Sequence, residues 1–377
     1  MDRVSELLQE LKTIARNPRK SIETTLKNSG KKGVGCFPVY APEELIYAAD
    51  AIPIGMWGGP TKGNLSDRYL QTFCCSVMKA NTEQALLKQY DLLSAVIMTT
   101  FCDTLKCVME NWKAASPQLK IIPIVYPQNR KASSGIEFFK EELMRVKGEL
   151  EEILKCSVED HRIQESIDLY DRYRRAMGRF VKEMNNFPIT FDAVTRHLVI
   201  KASYFMDKKD YLQKVEELLG ILQNRSPESS SGKKKVILSG LMSEPEELLH
   251  LFDENGFQVV ADDLAHESRQ FRESGPEEGD WQTRMAQRVA QQDGCAFLYD
   301  QEKTRGAGLL RMKEYYKADA VVLIQMKFCD PEEFDYPILK EELASERVPL
   351  LYLEIEQQMD SLEQLRTRIQ SFSEMLA

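Results

Sequence analysis

The chain has 377 residues, 43% of them hydrophobic and 29% charged, which is enough material for two or three domains that each bury a core. It has 50 Lys and Arg against 59 Asp and Glu, and no long basic stripe offsets the formal net charge of -9, so we do not expect it to bind nucleic acid. The charged N-terminus is unlike a secretion signal and no segment approaches the roughly 20 apolar residues of a membrane span, so the sequence predicts a soluble, cytoplasmic protein.

The first part of the chain alternates strand-like and helix-like segments. An amphipathic helix is predicted over residues 2–16, and Pro18 is expected to end it. Short apolar segments of strand length follow at 33–37, 52–56, 95–99 and 120–125, separated by helical stretches such as 42–50 and 81–90. This alternation predicts a parallel sheet that is covered by helices on both faces.

A long helical stretch separates this part from a second α/β region. Strand candidates return at 236–239, 258–261, 320–325 and 348–354, and a helix is predicted at 361–375. We therefore predict an N-terminal α/β domain (1–134), a helical segment (135–225), a polar linker (226–235) and a C-terminal α/β domain (236–377).

The two α/β regions resemble each other. Phe101-Cys102-Asp103 directly follows one buried strand candidate, and Phe328-Cys329-Asp330 follows its counterpart. Open α/β sheets build their sites beyond the carboxyl ends of their strands, so Cys102 and Cys329 are predicted to reach a shared cleft between the domains. The alternative is that both are core residues, since free Cys packs as a small hydrophobe; the repeated Phe-Cys-Asp context favours a ligand role.

The other cysteines are less informative. The eight cysteines are not expected to form disulfides in a reducing compartment, and the four histidines are not spaced as metal ligands, so thiolates would have to hold any metal. One member of the Cys74-Cys75 pair could face the same cleft while the other packs away. Cys107 is predicted to pack inside a helix that begins at Asp103, and Cys156 and Cys295 are interpreted as structural.

Nucleotide and hydrolase motifs are missing. The glycine-bearing loop 55–60 lacks the spacing of a dinucleotide fingerprint, and so does Gly306-Ala307-Gly308, although Arg305 beside it could meet an anion. The acidic pairs Glu43-Glu44 and Glu246-Glu247 fit the start of a helix, where negative charge is favourable.

Several of these segments together resemble a known family. They are Gly35-x-Phe37-Pro38-x-x-Ala41-Pro42-Glu43-Glu44-Leu45-x-x-Ala48-Ala49, then Cys75, then Ala95-Val96 to Cys102-Asp103-Thr104-Leu105, then Phe328-Cys329-Asp330. In order and separation the pattern resembles the 2-hydroxyacyl-CoA dehydratase family, which includes benzoyl-CoA reductase subunits. The expected fold is α/β, with two related flavodoxin-like domains, a helical insert, and a cluster in the cleft between the domains.

The resemblance also implies a cofactor and partners. Family members are heterodimers whose subunits each hold a [4Fe-4S] cluster through three cysteines, which here would be Cys75, Cys102 and Cys329, with Cys74 as the alternative to Cys75. A separate ATP-hydrolysing iron–sulfur activator supplies a single electron. This chain's length is closer to that of the smaller, beta-type subunit, which would relay electrons to the larger, alpha-type subunit that binds substrate.

The reaction that the resemblance implies is removal of water from an (R)-2-hydroxyacyl-CoA to give the (E)-2-enoyl-CoA, through a ketyl radical on the substrate. General acid–base catalysis alone does not readily remove the unactivated β-hydrogen. Amino-acid fermentation in an anaerobe is the setting expected for such an enzyme. The alternatives are a subunit of a benzoyl-CoA-reductase-like enzyme and a cluster-free structural subunit whose cysteines only pack.

Overall fold

The computed structural model describes residues 2–61, 63–229 and 232–376, so Ser230 and Ser231 of the predicted linker lie outside the described residues. Eight strands form two four-stranded sheets, and every strand pair is parallel. The strands are β1 (Lys32–Phe37), β2 (Ala51–Gly55), β3 (Leu93–Thr99), β4 (Ile121–Ile124), β5 (Lys234–Gly240), β6 (Phe257–Leu264), β7 (Ala320–Met326) and β8 (Leu350–Ile355). All eight predicted strands are therefore present.

Fifteen α-helices and two short 3₁₀ helices (Leu65–Arg68 and Met184–Asn186) surround the sheets in the described part of the chain. The α-helices are α1 (Arg3–Arg16), α2 (Pro18–Ser29), α3 (Glu43–Ala48), α4 (Ser76–Leu86), α5 (Asp103–Ala115), α6 (Ser133–Leu154), α7 (Asp160–Glu183), α8 (Ala193–Ala202), α9 (Lys208–Leu222), α10 (Glu246–Glu254), α11 (Ser268–Phe271), α12 (Trp281–Ala290), α13 (Arg305–Tyr316), α14 (Asp330–Ser345) and α15 (Glu363–Met375). Among the residues described, no helix has the length and apolar character that a membrane span requires.

The two sheets have the same topology. Their strand orders are β2-β1-β3-β4 and β6-β5-β7-β8, which is the flavodoxin-like order for the first four strands. We refer to the part of the chain that carries β1 to β4 as the N-terminal half and to the part from β5 onward as the C-terminal half. Every residue of β7 is buried, as are nearly all residues of β3, because helices cover both faces of each sheet. The predicted fold class is confirmed.

The halves are not independent along the chain. The helices α6 to α9 form the predicted helical segment, and α1 packs against α8 and α9 of that segment. Helix α12 belongs by sequence to the C-terminal half, yet it packs against α6, and its Trp281 lies in the apolar core beneath the N-terminal sheet. These crossing helices therefore hold the two halves together.

One helix boundary and one strand boundary differ from the prediction. The helix predicted over residues 2–16 is confirmed as α1, which ends before Pro18; Pro18 is itself the first residue of α2, where a proline needs no hydrogen-bond partner for its missing N–H. The helix predicted at 81–90 starts earlier, at Ser76, directly after the tandem cysteines. Strand β5 begins at Lys234, within the range predicted as linker.

Candidate functional site

The three cysteines predicted as ligands occupy equivalent local positions. Cys75 is the N-cap residue of α4, Cys102 that of α5 and Cys329 that of α14, and none of the three side chains caps its helix by a hydrogen bond. A cysteine is a poor cap compared with Ser, Thr, Asp or Asn. Three thiols at three helix starts therefore indicate a purpose other than helix capping.

The sheet topology explains where two of these helices begin. In each sheet the strand order reverses at its first strand, between β1 and β3 in one half and between β5 and β7 in the other. Cys102 follows the end of β3, and Cys329 follows the end of β7. A crevice forms beyond such a reversal, so each half directs its Phe-Cys-Asp segment to the crevice of its own sheet.

The three thiols interact electrostatically. Burial raises the pKa of the Cys329 thiol well above its ordinary value, and thiolates at Cys75 and Cys102 raise it further. Burial also raises the pKa of Cys75 to about 12, and Cys102 adds to that effect. The thiols of Cys75 and Cys102 therefore lie near enough to Cys329 to act on it electrostatically, and we call these three cysteines the three-thiol site below.

Helix N-termini oppose the effect of burial at this site. After burial, the largest influence on the pKa of Cys75 is the backbone N–H of Met78, which lowers it, and the N–H of Leu105 acts in the same way on Cys102. The N–H of Glu332 lowers the pKa of Cys329, although less than burial raises it. Three helix dipoles therefore present partial positive charge to the sulfur atoms, which favours an anionic group there.

The tandem cysteines face different neighbours. Cys74 Sγ lies 3.8 Å from Gln71 Oε1. Burial raises the pKa of Cys74, and the thiol and carboxyl groups that raise it further are those of Cys107 and Asp330. Cys74 also raises the pKa of Cys75, whereas the thiols that raise the pKa of Cys329 are those of Cys75 and Cys102.

Hydrogen bonds tie the Cys75 helix to the C-terminal half. Ser76 Oγ donates to the Met326 sulfur at 2.9 Å and accepts from the backbone N–H of Gln357 at 2.9 Å. Phe328, which precedes Cys329, has a φ of +63°, and its N–H donates to Glu333 Oε1 at 3.0 Å. A bulky residue rarely adopts this left-handed conformation, so the Glu333 contact helps to hold the turn that presents Cys329.

The remaining cysteines lie elsewhere. Cys107 is exposed, so the prediction that it packs was wrong: it lies on the solvent face of α5, while the opposite face buries Leu105, Val108 and Trp112. Cys295 is buried and accepts hydrogen bonds from the Tyr40 hydroxyl at 3.1 Å and from Arg269 at 3.5 Å. Cys156 is half-buried at the end of α6.

Sequence reasoning missed a buried ion-pair network beneath Cys329. Glu332, in the first turn of α14, lies 3.4 Å from Arg269 Nη1 and 2.8 Å from Arg305 Nη2, and Asp263 joins both arginines at 2.7 and 3.2 Å. Each of these four side chains is almost completely buried. Arg305 does meet an anion, but its partners are carboxylates of its own chain. Their wide sequence separation leaves no local signal that could have revealed the network.

The donor set determines which inorganic group could fit. In the parts of the chain that the structure covers, no three His, Cys, Asp or Glu side chains are close enough to hold a single metal ion. Thiolates around an iron–sulfur cluster stand farther apart than thiolates on one ion, because each binds a different iron atom. Soft thiolates disfavour magnesium, and because no three of the described side chains could share one ion, the three thiols fit a thiolate-bound cluster better than a lone zinc ion.

Comparisons with known proteins identify the family. A family model described as "2-hydroxyglutaryl-CoA dehydratase, D-component" matches residues 38–376. The chain is 40% identical to the lactoyl-CoA dehydratase subunit beta of Anaerotignum propionicum and 37% identical to the (R)-phenyllactyl-CoA dehydratase beta subunit of Clostridium sporogenes, over 100% of each chain. It is 33% identical to the (R)-2-hydroxyglutaryl-CoA dehydratase subunit beta of Acidaminococcus fermentans, over 99% of this chain and 100% of that subunit.

Proposed function

The chain belongs to the 2-hydroxyglutaryl-CoA dehydratase D-component family, and on that premise we propose that it is the beta subunit of an (R)-2-hydroxyacyl-CoA dehydratase in which Cys75, Cys102 and Cys329 hold a [4Fe-4S] cluster. The predicted family, the hydro-lyase class and the beta type are confirmed, since three relatives that match over their full length are named as dehydratase beta subunits. The proposed cluster and its ligands are supported by the three thiols at three helix N-termini, two of which act electrostatically on Cys329.

The residues of this chain would give the cluster a defined environment. Thiolates of Cys75, Cys102 and Cys329 would bind three of its iron atoms, and the starts of α4, α5 and α14 would stabilise its negative charge. Such a cluster, when bound, would relay single electrons for the dehydration. The buried surroundings of Cys75 and Cys329 exclude water from two of the three ligands.

The proposal includes partners and a compartment. A beta subunit works with at least one other subunit, and we assign the substrate to a larger, alpha-type subunit and the electron supply to an ATP-hydrolysing iron–sulfur activator. The cytoplasm is the proposed location, because a reducing compartment keeps the ligand thiols available for iron.

The decisive experiment measures iron and acid-labile sulfide per chain after anaerobic purification, with the visible spectrum recorded before and after exposure to air. We expect about four of each and a broad absorbance that bleaches in air. Cys102→Ser and Cys329→Ser should lose cluster iron, whereas the matched control Cys156→Ser should retain it. Comparing Cys75→Ser with Cys74→Ser identifies which member of the pair is the ligand. Equal iron in Cys102→Ser, Cys329→Ser and Cys156→Ser would overturn the ligand set, and no iron after reconstitution would overturn the cluster.

A further inference from the structure

A cavity that is not lined by any of the three thiols contains several positively charged side chains. It has a volume of about 410 Å³ and lies between α7, the end of β6 and α13, and it shares no lining residue with the three-thiol site. We call it the basic groove. Its cations are Arg174, Arg175, Lys182, Arg196 and Arg272. Asp262 is the one carboxylate among the described residues that line it, in a chain whose net charge is -9.

Two of the five cations have no carboxylate partner within the described chain. Arg174 is paired with Glu44 and Asp171, and Arg272 with Asp263. Arg175 and Lys182 are exposed at the rim of the groove, and within the residues that the structure describes the one aromatic or charged contact of Lys182 is with the ring of Tyr315. The rim therefore presents two cations that are free to bind an anion.

The floor of the groove contains an incompletely satisfied arginine. Arg196 is 4% exposed, and its Nε has no hydrogen-bond partner. Its Nη2 lies 3.7 Å from Asp262 Oδ2, which also lacks a hydrogen bond. Burial raises the pKa of Asp262. A buried donor without an acceptor is costly, so an anion that reached Arg196 would relieve that cost.

Most of the remaining lining residues are apolar or aromatic. They are Val181, Ala261, Phe271, Met312 and Tyr316, with the polar residues Ser268 and Ser274 beside them. Gly178 lies on the α7 face that also lines the groove, and no atom lies within 4 Å of the position that a Cβ there would take. The groove thus joins apolar and aromatic side chains to a set of guanidinium and ammonium groups, within the size range of small-molecule sites.

We propose that the basic groove binds a small organic phosphate of the nucleotide class, with its phosphates on Arg175, Lys182 and Arg196 and its planar base against Phe271, Met312 and Tyr316. Guanidinium groups match phosphate geometry, and the apolar wall distinguishes a nucleotide from inorganic phosphate. The adenosine diphosphate group is common to ADP and coenzyme A, so the test includes both. This inference goes beyond the dehydratase function and does not depend on the cluster.

The test measures binding of ADP, coenzyme A and inorganic phosphate by isothermal titration calorimetry at low salt, with the full chain in the complex in which it is purified. The double variant Arg175→Gln, Lys182→Gln should bind the tighter nucleotide at least about tenfold more weakly, because two charge-assisted contacts are lost. Arg179→Gln is the matched control, since Arg179 is an exposed cation of the same helix that does not line the groove. The affinity of the Arg179→Gln variant for the nucleotide should equal that of wild type.

A steric variant provides an independent test. Gly178→Met should abolish nucleotide binding without harming the helix, because the added side chain enters open space and methionine favours helix more than glycine. Gly220→Met in α9 is its control, since a Cβ at Gly220 also meets no atom within 4 Å. Preference for ADP or for coenzyme A would identify the source of the nucleotide, and either preference supports the proposal.

Any of three results would overturn the proposal that the basic groove binds a nucleotide. They are no saturable binding of either nucleotide, equal binding by wild type and Gly178→Met, and equal affinity for inorganic phosphate and the nucleotides. Iron content is recorded on the same preparations. Nucleotide binding by protein that holds no iron would contradict the proposed function and support this inference. Protein that holds iron but binds no nucleotide would support the proposed function and contradict this inference.

Discussion

The helices α5 and α14 both begin after Phe-Cys-Asp, yet opposite kinds of contact hold them in place. Three residues after Cys102 is Leu105, which is completely buried among apolar side chains. Three residues after Cys329 is Glu332, which is equally buried but contacts Arg269 and Arg305. The repeated motif thus decides where each helix starts, and the residue one turn later decides how it is anchored. Substitutions of Glu332 and Leu105 test whether each helix depends on its own kind of contact for stability.

The largest effect is expected when the ionic anchor is given the apolar character of the other half. Glu332→Leu leaves Arg269 and Arg305 buried without one of their carboxylates, and it should lower the free energy of unfolding by about 3–5 kcal/mol. Urea unfolding followed by circular dichroism measures this. Glu341→Gln, at an exposed position of the same helix, is the control and should change stability by less than about 0.5 kcal/mol. A Glu332→Leu protein as stable as wild type would show that the ion pairs contribute no net stability.

A somewhat smaller loss is expected at the apolar anchor. Leu105→Ala removes completely buried methyl groups and leaves a cavity beneath α5, which should cost about 3 kcal/mol. The same urea titration applies, with Leu87→Ala as the matched control, because Leu87 is 45% exposed. If the two Leu→Ala variants lost stability equally, the apolar packing of α5 would not be its anchor.

The third expected difference between the halves concerns pH. No histidine lies in residues 1–134, whereas His197 of α8 packs against the C-terminal half, with Ser243 Oγ at 3.0 Å, Glu267 at 2.9 Å, and Glu244 at 3.5 Å from its other ring nitrogen. Lys201 also pairs with Glu244. Burial alone would lower the pKa of His197, but the carboxylates of Glu267 and Glu244 outweigh it and raise the pKa to about 9.

Because this pKa is higher in the folded than in the unfolded chain, the stability that His197 contributes is complete below pH 6.5 and is lost as the pH rises to about 9. The expected loss over that range is about 2.5 kcal/mol. Melting temperatures across the range should fall for wild type and stay nearly level for His197→Gln. Equal slopes for both proteins would mean that His197 is not the group that titrates.

Much of this architecture could be predicted from local sequence. The eight strands were identified because buried parallel strands appear as short apolar runs, and the helix after Cys102 does begin at Asp103. The end of α1 before Pro18 was also predicted, whereas the start of α4 at Ser76 was not, because it carries no strong capping residue. Cys107 could not be assigned to a face from its spacing alone.

By itself, the sequence determined the alternation of strands and helices, the repeat that puts Cys102 and Cys329 after corresponding strands, and the family. Those properties depend on neighbours within a few residues or on motif order, both of which a sequence displays directly. The tertiary structure alone decided that Cys75 and Cys102 lie near enough to act on Cys329, that Glu332 meets Arg269 and Arg305, and that Arg175 and Lys182 of α7 border a groove. These contacts join residues far apart in the chain, so they exist only once the sheets and crossing helices have packed.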